Sequence, residues 1–211
     1  MKAVIFDLDG VLVDTERIRY QTYRGLFKEE FGVTLPEEIP WEILGRKEQE
    51  NLAAFLRMHN IKSDIERLAR KRHVLLEQAF SQSQNKRPMP GARSLLEWLR
   101  AKGIPMAVAS SSSRTYVEKV LTDAGIRFFF LVVVSGDDVR RGKPAPDLFL
   151  MAARKLGVPP RDYIVFEDSP NGIFAAKAAG MRAIALASSL NKERLSGDLV
   201  ISHLGEMRGM L

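Results

Sequence analysis

Residues 3–15 read AVIFDLDGVLVDT, and this stretch decides the fold. Its apolar start, residues 3–6, is short and rich in β-branched and aromatic side chains, which is typical of a strand buried on both faces of a parallel sheet. The apolar run stops at Asp7, and Asp9 with Gly10 supplies turn-forming residues. Two carboxylates thus follow a buried strand, at the edge where open α/β sheets bind ligands. An acidic turn explains a lone DxD pattern equally well, so the rest of the chain has to decide.

Composition and charge exclude several classes of protein. The chain has 211 residues, enough for one domain with a smaller insertion, and no cysteine, which excludes disulfides and thiolate metal sites. No apolar run has the length of a membrane helix and no basic leader precedes the first strand, so we expect a cytoplasmic protein without a membrane partner. The net charge of +6 comes from scattered basic residues without an aromatic-interleaved stripe, so we expect anionic small molecules rather than nucleic acid as partners.

Helical spacing of apolar residues follows the first strand. It extends over about 18–31, 47–58 and 63–80, and residues 81–86 are polar and typical of a linker. We therefore predict an all-helical insertion at residues 16–84, which we call the cap. Residues 1–15 and 85–211 are predicted to form a core domain.

Strands and helices alternate from residue 88 onward. The predicted strands cover residues 105–109, 129–134, 163–166, 183–187 and 199–201, with helices between them. This alternation requires right-handed crossovers between parallel strands. The predicted fold class is therefore α/β, a doubly wound Rossmann-like parallel sheet with the helical cap inserted after its first strand.

Polar side chains follow several predicted strands. They are Asp7 and Asp9, Ser110, and Glu167 with Asp168. Because the carboxyl ends of parallel strands share one edge, we expect these side chains to converge. Several carboxylates repel one another unless they share a cation, and oxygen ligands without His or Cys favour Mg²⁺ over zinc. Magnesium suggests phosphate chemistry, for which Lys143 would supply a positive charge.

These motifs resemble those of the haloacid dehalogenase superfamily of phosphotransferases. The match runs in order through DLDG at residues 7–10, Ser110 after a strand, Lys143 before a proline, and EDSPNG at residues 167–172. The resemblance covers essentially the whole chain, and the cap resembles the type 1 cap of the family. It is strongest for the subgroup that contains β-phosphoglucomutase and small sugar-phosphate or nucleotide phosphatases.

The resemblance implies a role for each matching residue. Asp7 would attack phosphorus and form an aspartyl-phosphate, and Asp9 would protonate the leaving alcohol and then activate water. Ser110 and Lys143 would hold the phosphoryl oxygens, helped by Ser111 and Ser112. Magnesium would be bound by the Asp7 carboxylate, the Asp9 backbone carbonyl, Asp168 and, directly or through water, Glu167.

Substrate specificity is expected to come from the cap. Gly45, Arg46 and Lys47 resemble the specificity loop of the family, where Arg46 or Lys47 could reach an anionic substrate. Two solvated cations are an equally good interpretation. Arg72 is a weaker candidate to face the site from the long cap helix.

The resemblance implies a monomeric Mg²⁺-dependent phosphatase for a small phosphomonoester, either a sugar phosphate or a nucleotide. A β-phosphoglucomutase-like mutase is the first alternative, but Arg19 stands where that enzyme has a cap histidine, which favours hydrolysis. A dehalogenase is disfavoured because those members lack the second aspartate, here Asp9. A receiver-like phospho-acceptor module is the alternative of another class, and it has no use for Asp9 or for a cap.

Overall fold

The computed structural model describes residues 1–83, 86–187 and 195–210. These residues form a six-stranded parallel sheet in the order β3-β2-β1-β4-β5-β6. The strands are β1 (Ala3–Phe6), β2 (Met106–Ala109), β3 (Val132–Val134), β4 (Tyr163–Glu167), β5 (Arg182–Leu186) and β6 (Leu199–Ile201). The predicted doubly wound α/β fold is confirmed. The strand order reverses at β1, so its carboxyl end lies at the switch point where such sheets bind ligands.

Helices cover both faces of the sheet, as the alternation along β1 shows. Val4 and Phe6 join one apolar cluster with α4 (Ala92–Ala101) and α5 (Arg114–Asp123). Ala3 and Ile5 join another with α6 (Asp147–Leu156) and α7 (Pro170–Ala178). All four β1 side chains are fully buried, because successive strand residues point to opposite faces and both faces are covered. This packing fixes the chain where Asp7 leaves the sheet.

Three cap helices pack around an apolar cluster of their own. They are α1 (Glu16–Phe31), α2 (Glu48–Met58) and α3 (Ile65–Gln82). The ring of Phe55 on α2 lies 5.4 Å from Tyr23 and 5.6 Å from Phe27, centroid to centroid, both on α1. The end of α3 differs, since Phe80 belongs to the apolar cluster of the sheet. The division of the chain at residues 16–84 stays a prediction, and its boundary at residues 84 and 85 lies outside the described residues.

The predicted strand at residues 129–134 is wrong in its first half. Arg127–Phe129 form a 3-10 turn, and β3 begins only at Val132. The guanidinium of Arg127 donates to the Phe130 carbonyl at 2.9 Å and to Glu118 at 2.6 Å, which fixes the turn. Phe129 and Phe130 are buried all the same, because the turn packs them into the apolar cluster of the sheet. A continuous apolar run does not distinguish a buried turn from a strand.

Two of the cap helices have clear capping residues at their ends. Asp64 accepts hydrogen bonds from the backbone of Glu66 and Arg67 at the start of α3, and Gly32 ends α1 in the left-handed conformation. Within the described ranges, no helix combines the length and the apolar character that a membrane crossing requires.

Candidate active site

A buried lysine joins two carboxylates at the carboxyl edge of the sheet. Lys143 Nζ donates to Asp7 Oδ1 and to Glu167 Oε1, both at 2.5 Å. Asp7 follows β1 and Glu167 is the last residue of β4, which pairs with β1. Lys143 and Glu167 are fully buried and Asp7 is 6% exposed. Charges removed from water to this extent need partners of opposite sign, and these residues supply them to one another.

Asp168 completes a group of three carboxylates with Asp7 and Glu167. Each offers one oxygen, and these atoms lie within 4.8 Å of one another. With Lys143, the four side chains carry a formal charge of −2. Burial, only partly offset by Lys143, raises the pKa of Asp7 to about 8. Burial and the charge of Glu167 likewise hold the pKa of Asp168 well above its usual range. A buried, incompletely neutralised set of oxygen donors fits a hard divalent cation such as Mg²⁺.

Two glycines let the backbone approach these carboxylates. A Cβ at Gly10, whose φ is +78°, would collide with the carboxylate of Asp168, and one at Gly172 would collide with that of Glu167. The first turn of α7 also holds Glu167, because the backbone N–H and the hydroxyl of Ser169 both donate to Oε2 at 2.9 Å. The backbone therefore lies close against both acidic groups at the end of β4, and Ser169 holds one of them, Glu167.

Asp9 has different surroundings: among the described residues, three hydroxyl groups donate to its carboxylate and Arg19 forms an ion pair with it. Thr15 Oγ1 lies 2.5 Å and the Tyr116 hydroxyl 3.2 Å from Oδ1. Ser112 Oγ and Arg19 Nη1 each lie 3.0 Å from Oδ2. Asp9 is 2% exposed. Oδ1 thus has two hydroxyl donors, and Oδ2 has one hydroxyl donor and the guanidinium of Arg19 beside it, which together restrict the orientation of the carboxylate.

The serines after β2 reach the same edge. Ser110 is 1% exposed, its N–H donates to the Val134 carbonyl at 3.0 Å, and its Oγ accepts from the Ser112 N–H at 3.2 Å. Ser111 instead donates its hydroxyl to the Gly45 carbonyl of the cap at 2.6 Å. Ser110 therefore lies at the edge predicted for it, whereas the hydroxyl of Ser111 is used in a contact with the cap.

The loop of residues 44–47 lies against the core at the same edge. Asn171 Nδ2 donates to the Leu44 carbonyl at 2.8 Å, and Lys47 Nζ donates to the Val139 carbonyl at 2.6 Å. Arg46 is half-buried, and its buried Nε has no hydrogen-bond partner among the described residues. Of the two cations predicted to reach a substrate, Lys47 thus has a protein partner, while part of the Arg46 guanidinium remains available.

Arg72 lies inside the cap instead of facing the site. Its guanidinium stacks on the ring of Tyr23 at 3.6 Å, pairs with Glu48 at 3.0 Å and donates to the Arg19 carbonyl at 2.9 Å. It is 1% exposed. These contacts give Arg72 a structural role within the cap.

Sequence reasoning missed the contacts of Arg19 and Tyr116 with Asp9. Arg19 lies one helical turn before the buried Tyr23, so helical spacing already places it on the inward face of α1. Tyr116 is 107 residues from Asp9, and no pattern in the sequence links the two.

Comparisons with known proteins identify the family to which the chain belongs. A sequence model of the haloacid dehalogenase-like hydrolase family matches residues 4–186. A phosphorylated carbohydrates phosphatase of Thermotoga maritima is 36% identical over 90% of this chain and 88% of its own length. A probable pseudouridine-5'-phosphatase of Drosophila melanogaster is 38% identical over 91% of this chain and 84% of its own. A crystal structure of β-phosphoglucomutase from Clostridium difficile superposes with a TM-score of 0.88 at 27% identity, covering 98% of this chain and 93% of that one.

The relatives share an activity class. Those from Thermotoga and Drosophila are named as phosphatases, and a third relative, from Bacillus subtilis, is 33% identical and bears the same class name. The prediction of an enzyme of the phosphoric monoester hydrolase class is confirmed, and the receiver-like module is set aside. The chain belongs to the haloacid dehalogenase-like hydrolase family.

Proposed function

We propose that this protein is a Mg²⁺-dependent phosphatase that hydrolyses a small phosphomonoester through an aspartyl-phosphate on Asp7. The observation that carries the proposal is the convergence of Asp7, Lys143, Glu167 and Asp168 beside the separately held Asp9. A nucleophile, a cation for the phosphoryl oxygens and an acid for the leaving group thereby share one buried site.

The first step transfers the phosphoryl group to the enzyme. A carboxylate oxygen of Asp7 forms a bond to phosphorus while the ester P–O bond breaks, and Asp9 gives a proton to the departing alcohol oxygen. Lys143 lies 2.5 Å from Asp7 Oδ1, where its charge stabilises the negative charge on the phosphoryl oxygens. In the second step Asp9 takes a proton from water, which attacks phosphorus and releases inorganic phosphate and the free Asp7 carboxylate.

The acidic groups of the site would hold the metal. Asp7 and Asp168 would contribute carboxylate oxygens, Asp9 its backbone carbonyl, and Glu167 an oxygen directly or through water. A bound Mg²⁺ supplies positive charge that brings the anionic nucleophile and the anionic phosphoryl group together. The formal charge of −2 on the buried cluster supports a divalent ion.

The core would bind the phosphoryl group and the cap the remainder of the substrate. Ser110 and Lys143 would contact phosphoryl oxygens, and Arg46, Lys47 and Ser111 would line the cap side. Since the loop at residues 44–47 touches the core through Asn171 and Lys47, a bound substrate would be shielded from bulk water. Sugar phosphates and nucleotides are the proposed class, and a monomeric state and a cytoplasmic location stay predictions.

Phosphate release from a panel of small phosphomonoesters tests the proposal. We expect release in Mg²⁺, none in EDTA, and a loss of about 10³-fold or more in Asp7→Asn, because the nucleophile is gone. Asp162→Asn is the matched control, since Asp162 pairs with Lys2 at the opposite edge of the sheet. Equal release in EDTA, or an active Asp7→Asn variant, would overturn the proposal.

A phosphoglucomutase activity is the second candidate, because the fold superposes on a β-phosphoglucomutase over almost the whole chain. The pairing of Arg19 with Asp9 distinguishes this site from one that carries a histidine there. We expect glucose 1-phosphate to yield inorganic phosphate. Conversion to glucose 6-phosphate without phosphate release would establish the mutase instead.

A further inference from the structure

We propose that Arg19 and Tyr116 are positioning residues that hold the Asp9 carboxylate for proton transfer to the leaving group. The inference rests on the proposed function and assigns to it two residues that lie outside the four sequence motifs. Arg19 comes from α1 of the cap and Tyr116 from α5 of the core. Together they approach Asp9 from two elements that are far apart in the sequence.

Arg19 is fixed on both sides. Its Nη1 lies 3.0 Å from Asp9 Oδ2 and 3.0 Å from Glu16 Oε1, and its backbone carbonyl accepts a hydrogen bond from Arg72 at 2.9 Å. Its side chain is only 11% exposed. Burying a guanidinium is costly, and an apolar residue would pack here as Tyr23 does on the same helix. The ion pair with Asp9 therefore accounts for a charged residue at this position.

Tyr116 is fixed by packing. The residue is 1% exposed, and its ring meets Phe80 of α3 edge to face, at 6.0 Å between centroids. Burial and the nearby charge of Asp9 hold the pKa of Tyr116 well above its usual range, so the hydroxyl remains a neutral donor. It donates to Asp9 Oδ1, whereas Arg19 pairs with Oδ2.

The two contacts act on different oxygens, so each restrains rotation of the carboxylate. A general acid must lie within about 3 Å of the atom that it protonates, in the right orientation. A poorly oriented Asp9 slows the departure of an alkoxide, which needs the proton. It affects a p-nitrophenolate far less, because that group leaves as a stable anion. Loss of the positioning contacts should therefore slow the hydrolysis of esters with an alkoxide leaving group more than the hydrolysis of aryl esters.

The experiment compares kcat/KM for glucose 6-phosphate and for p-nitrophenyl phosphate, both in Mg²⁺. This parameter reports only the steps through formation of the aspartyl-phosphate, so the later role of Asp9 as a base does not enter. We expect the sugar-to-aryl ratio to fall about 30-fold in Arg19→Gln, which is less than the range for a lost general acid. We expect the same ratio to fall about fivefold in Tyr116→Phe, because this variant loses one hydrogen bond to Asp9 and a factor of about five corresponds to one hydrogen bond. Arg19→Lys should recover part of the ratio, and Asp9→Asn should show the largest fall.

Two variants serve as matched controls. Arg17→Gln removes an exposed arginine from the same helix. Tyr163→Phe removes a buried hydroxyl that donates to the Ala153 carbonyl, away from Asp9. Both are expected to leave the ratio unchanged.

Equal losses on both esters, or an unchanged ratio in both variants, would overturn the inference while leaving the phosphatase intact. If the wild type hydrolyses no ester of the panel, the proposed function itself fails, and the inference fails with it; if only glucose 6-phosphate is not hydrolysed, the best alkyl phosphate of the panel takes its place in the ratio. Should Arg19→Gln not fold, Tyr116→Phe and Arg19→Lys decide the question, because both conserve most of the volume of the side chain.

Discussion

The two aspartates that follow β1 are separated by one residue and neutralised in different ways. Asp7 shares the charge of Lys143 with Glu167 and lies beside a third carboxylate, Asp168. Asp9 accepts hydrogen bonds from three hydroxyl groups of the described segments and forms an ion pair with the cation Arg19. We call the first group the Asp7 cluster and the second the Asp9 cluster.

The difference shows which part of the site the protein completes and which part it leaves to a ligand. When its three carboxylates are ionised, the Asp7 cluster carries a formal charge of −2 in a buried place, which is unfavourable until a cation enters. In the Asp9 cluster three hydroxyl donors and the charge of Arg19 already hold the carboxylate, so no ligand is needed to hold it. A metal and a phosphoryl group would complete the first cluster, while the second supplies an acid in a fixed position. Each prediction below would sharpen this contrast or break it.

The largest effect is expected from Lys143→Met, which removes the cation from the Asp7 cluster. Asp7 and Glu167 would remain buried without their partner, so the free energy of unfolding in EDTA at pH 8 should fall by about 3 kcal/mol. Urea denaturation measures it. The control is Arg141→Met. The side chain of Arg141 is 70% exposed in its ion pair with Asp147, so its loss should lower the free energy of unfolding by less than about 1 kcal/mol. Equal stability of the two variants would show that Lys143 does not compensate buried charge.

Magnesium should stabilise the protein through the Asp7 cluster. At a concentration 100 times its Kd, a ligand that binds only the folded state adds about 2.7 kcal/mol to the free energy of unfolding. We expect this gain in the wild type and its loss in Asp168→Asn. Glu16→Gln, which alters the Asp9 cluster, should keep the gain, because Glu16 pairs with Arg19 instead of the metal ligands. A gain lost in Glu16→Gln and kept in Asp168→Asn would reverse the assignment.

Without metal, stability should fall as the pH rises. The pKa of Asp7 is raised to about 8 in the folded protein, whereas an unfolded aspartate titrates near 4. Between these values the folded state keeps a proton that the unfolded chain has lost, so the free energy of unfolding falls by about 1.4 kcal/mol per pH unit for each such proton. Its contribution is complete below the unfolded pKa and is lost as the pH approaches 8.

Urea midpoints in EDTA between pH 5.5 and 7.5 check this slope. Saturating Mg²⁺ and Asp7→Asn should each flatten it, since one favours the ionised carboxylate and the other removes it. Glu30, whose pKa is lowered to about 2 by Arg67 and Lys71, titrates below this window and does not contribute. Stability that rises with pH in EDTA would contradict an incompletely neutralised Asp7 cluster.

The convergence of the three carboxylates of the Asp7 cluster could be predicted because each lies at the end of a predicted strand, whereas Lys143 was placed by the family resemblance. Asp7 ends an apolar run and Glu167 lies at the end of another, and parallel strands bring such ends to one edge. The Asp9 cluster had weaker signals. The hydroxyl of Tyr116 and the guanidinium of Arg19 reach Asp9 only through the packing of α5 and α1, which no spacing of residues specifies.

Two further differences have the same origin in tertiary contacts. Arg127–Phe129 form a turn in which Arg127 holds the Phe130 carbonyl, although the composition of this segment is that of a strand. Lys47 was predicted to be available to a substrate, and it donates to the Val139 carbonyl of a loop 92 residues away. The fold class and the strand ends followed from the pattern, while the partners of long polar side chains did not.

The smallest effect separates Arg46 from Lys47, two neighbouring cations in the cap loop. Arg46 has a buried Nε without a partner among the described residues, so it has a donor to offer a substrate. Its replacement in Arg46→Gln should raise KM for glucose 6-phosphate about fivefold with kcat unchanged, the effect of losing one hydrogen bond of about 1 kcal/mol.

Lys47→Gln should behave differently, because the Lys47 ammonium holds the loop on the core through Val139. Its loss weakens the closed arrangement for every substrate, so the expected change is about the same in size for glucose 6-phosphate and for p-nitrophenyl phosphate. Steady-state kinetics with both esters distinguish the two cations. A selective rise in KM for the sugar phosphate in Lys47→Gln, with none in Arg46→Gln, would show that Lys47 leaves Val139 to bind the substrate and that Arg46 serves only the loop.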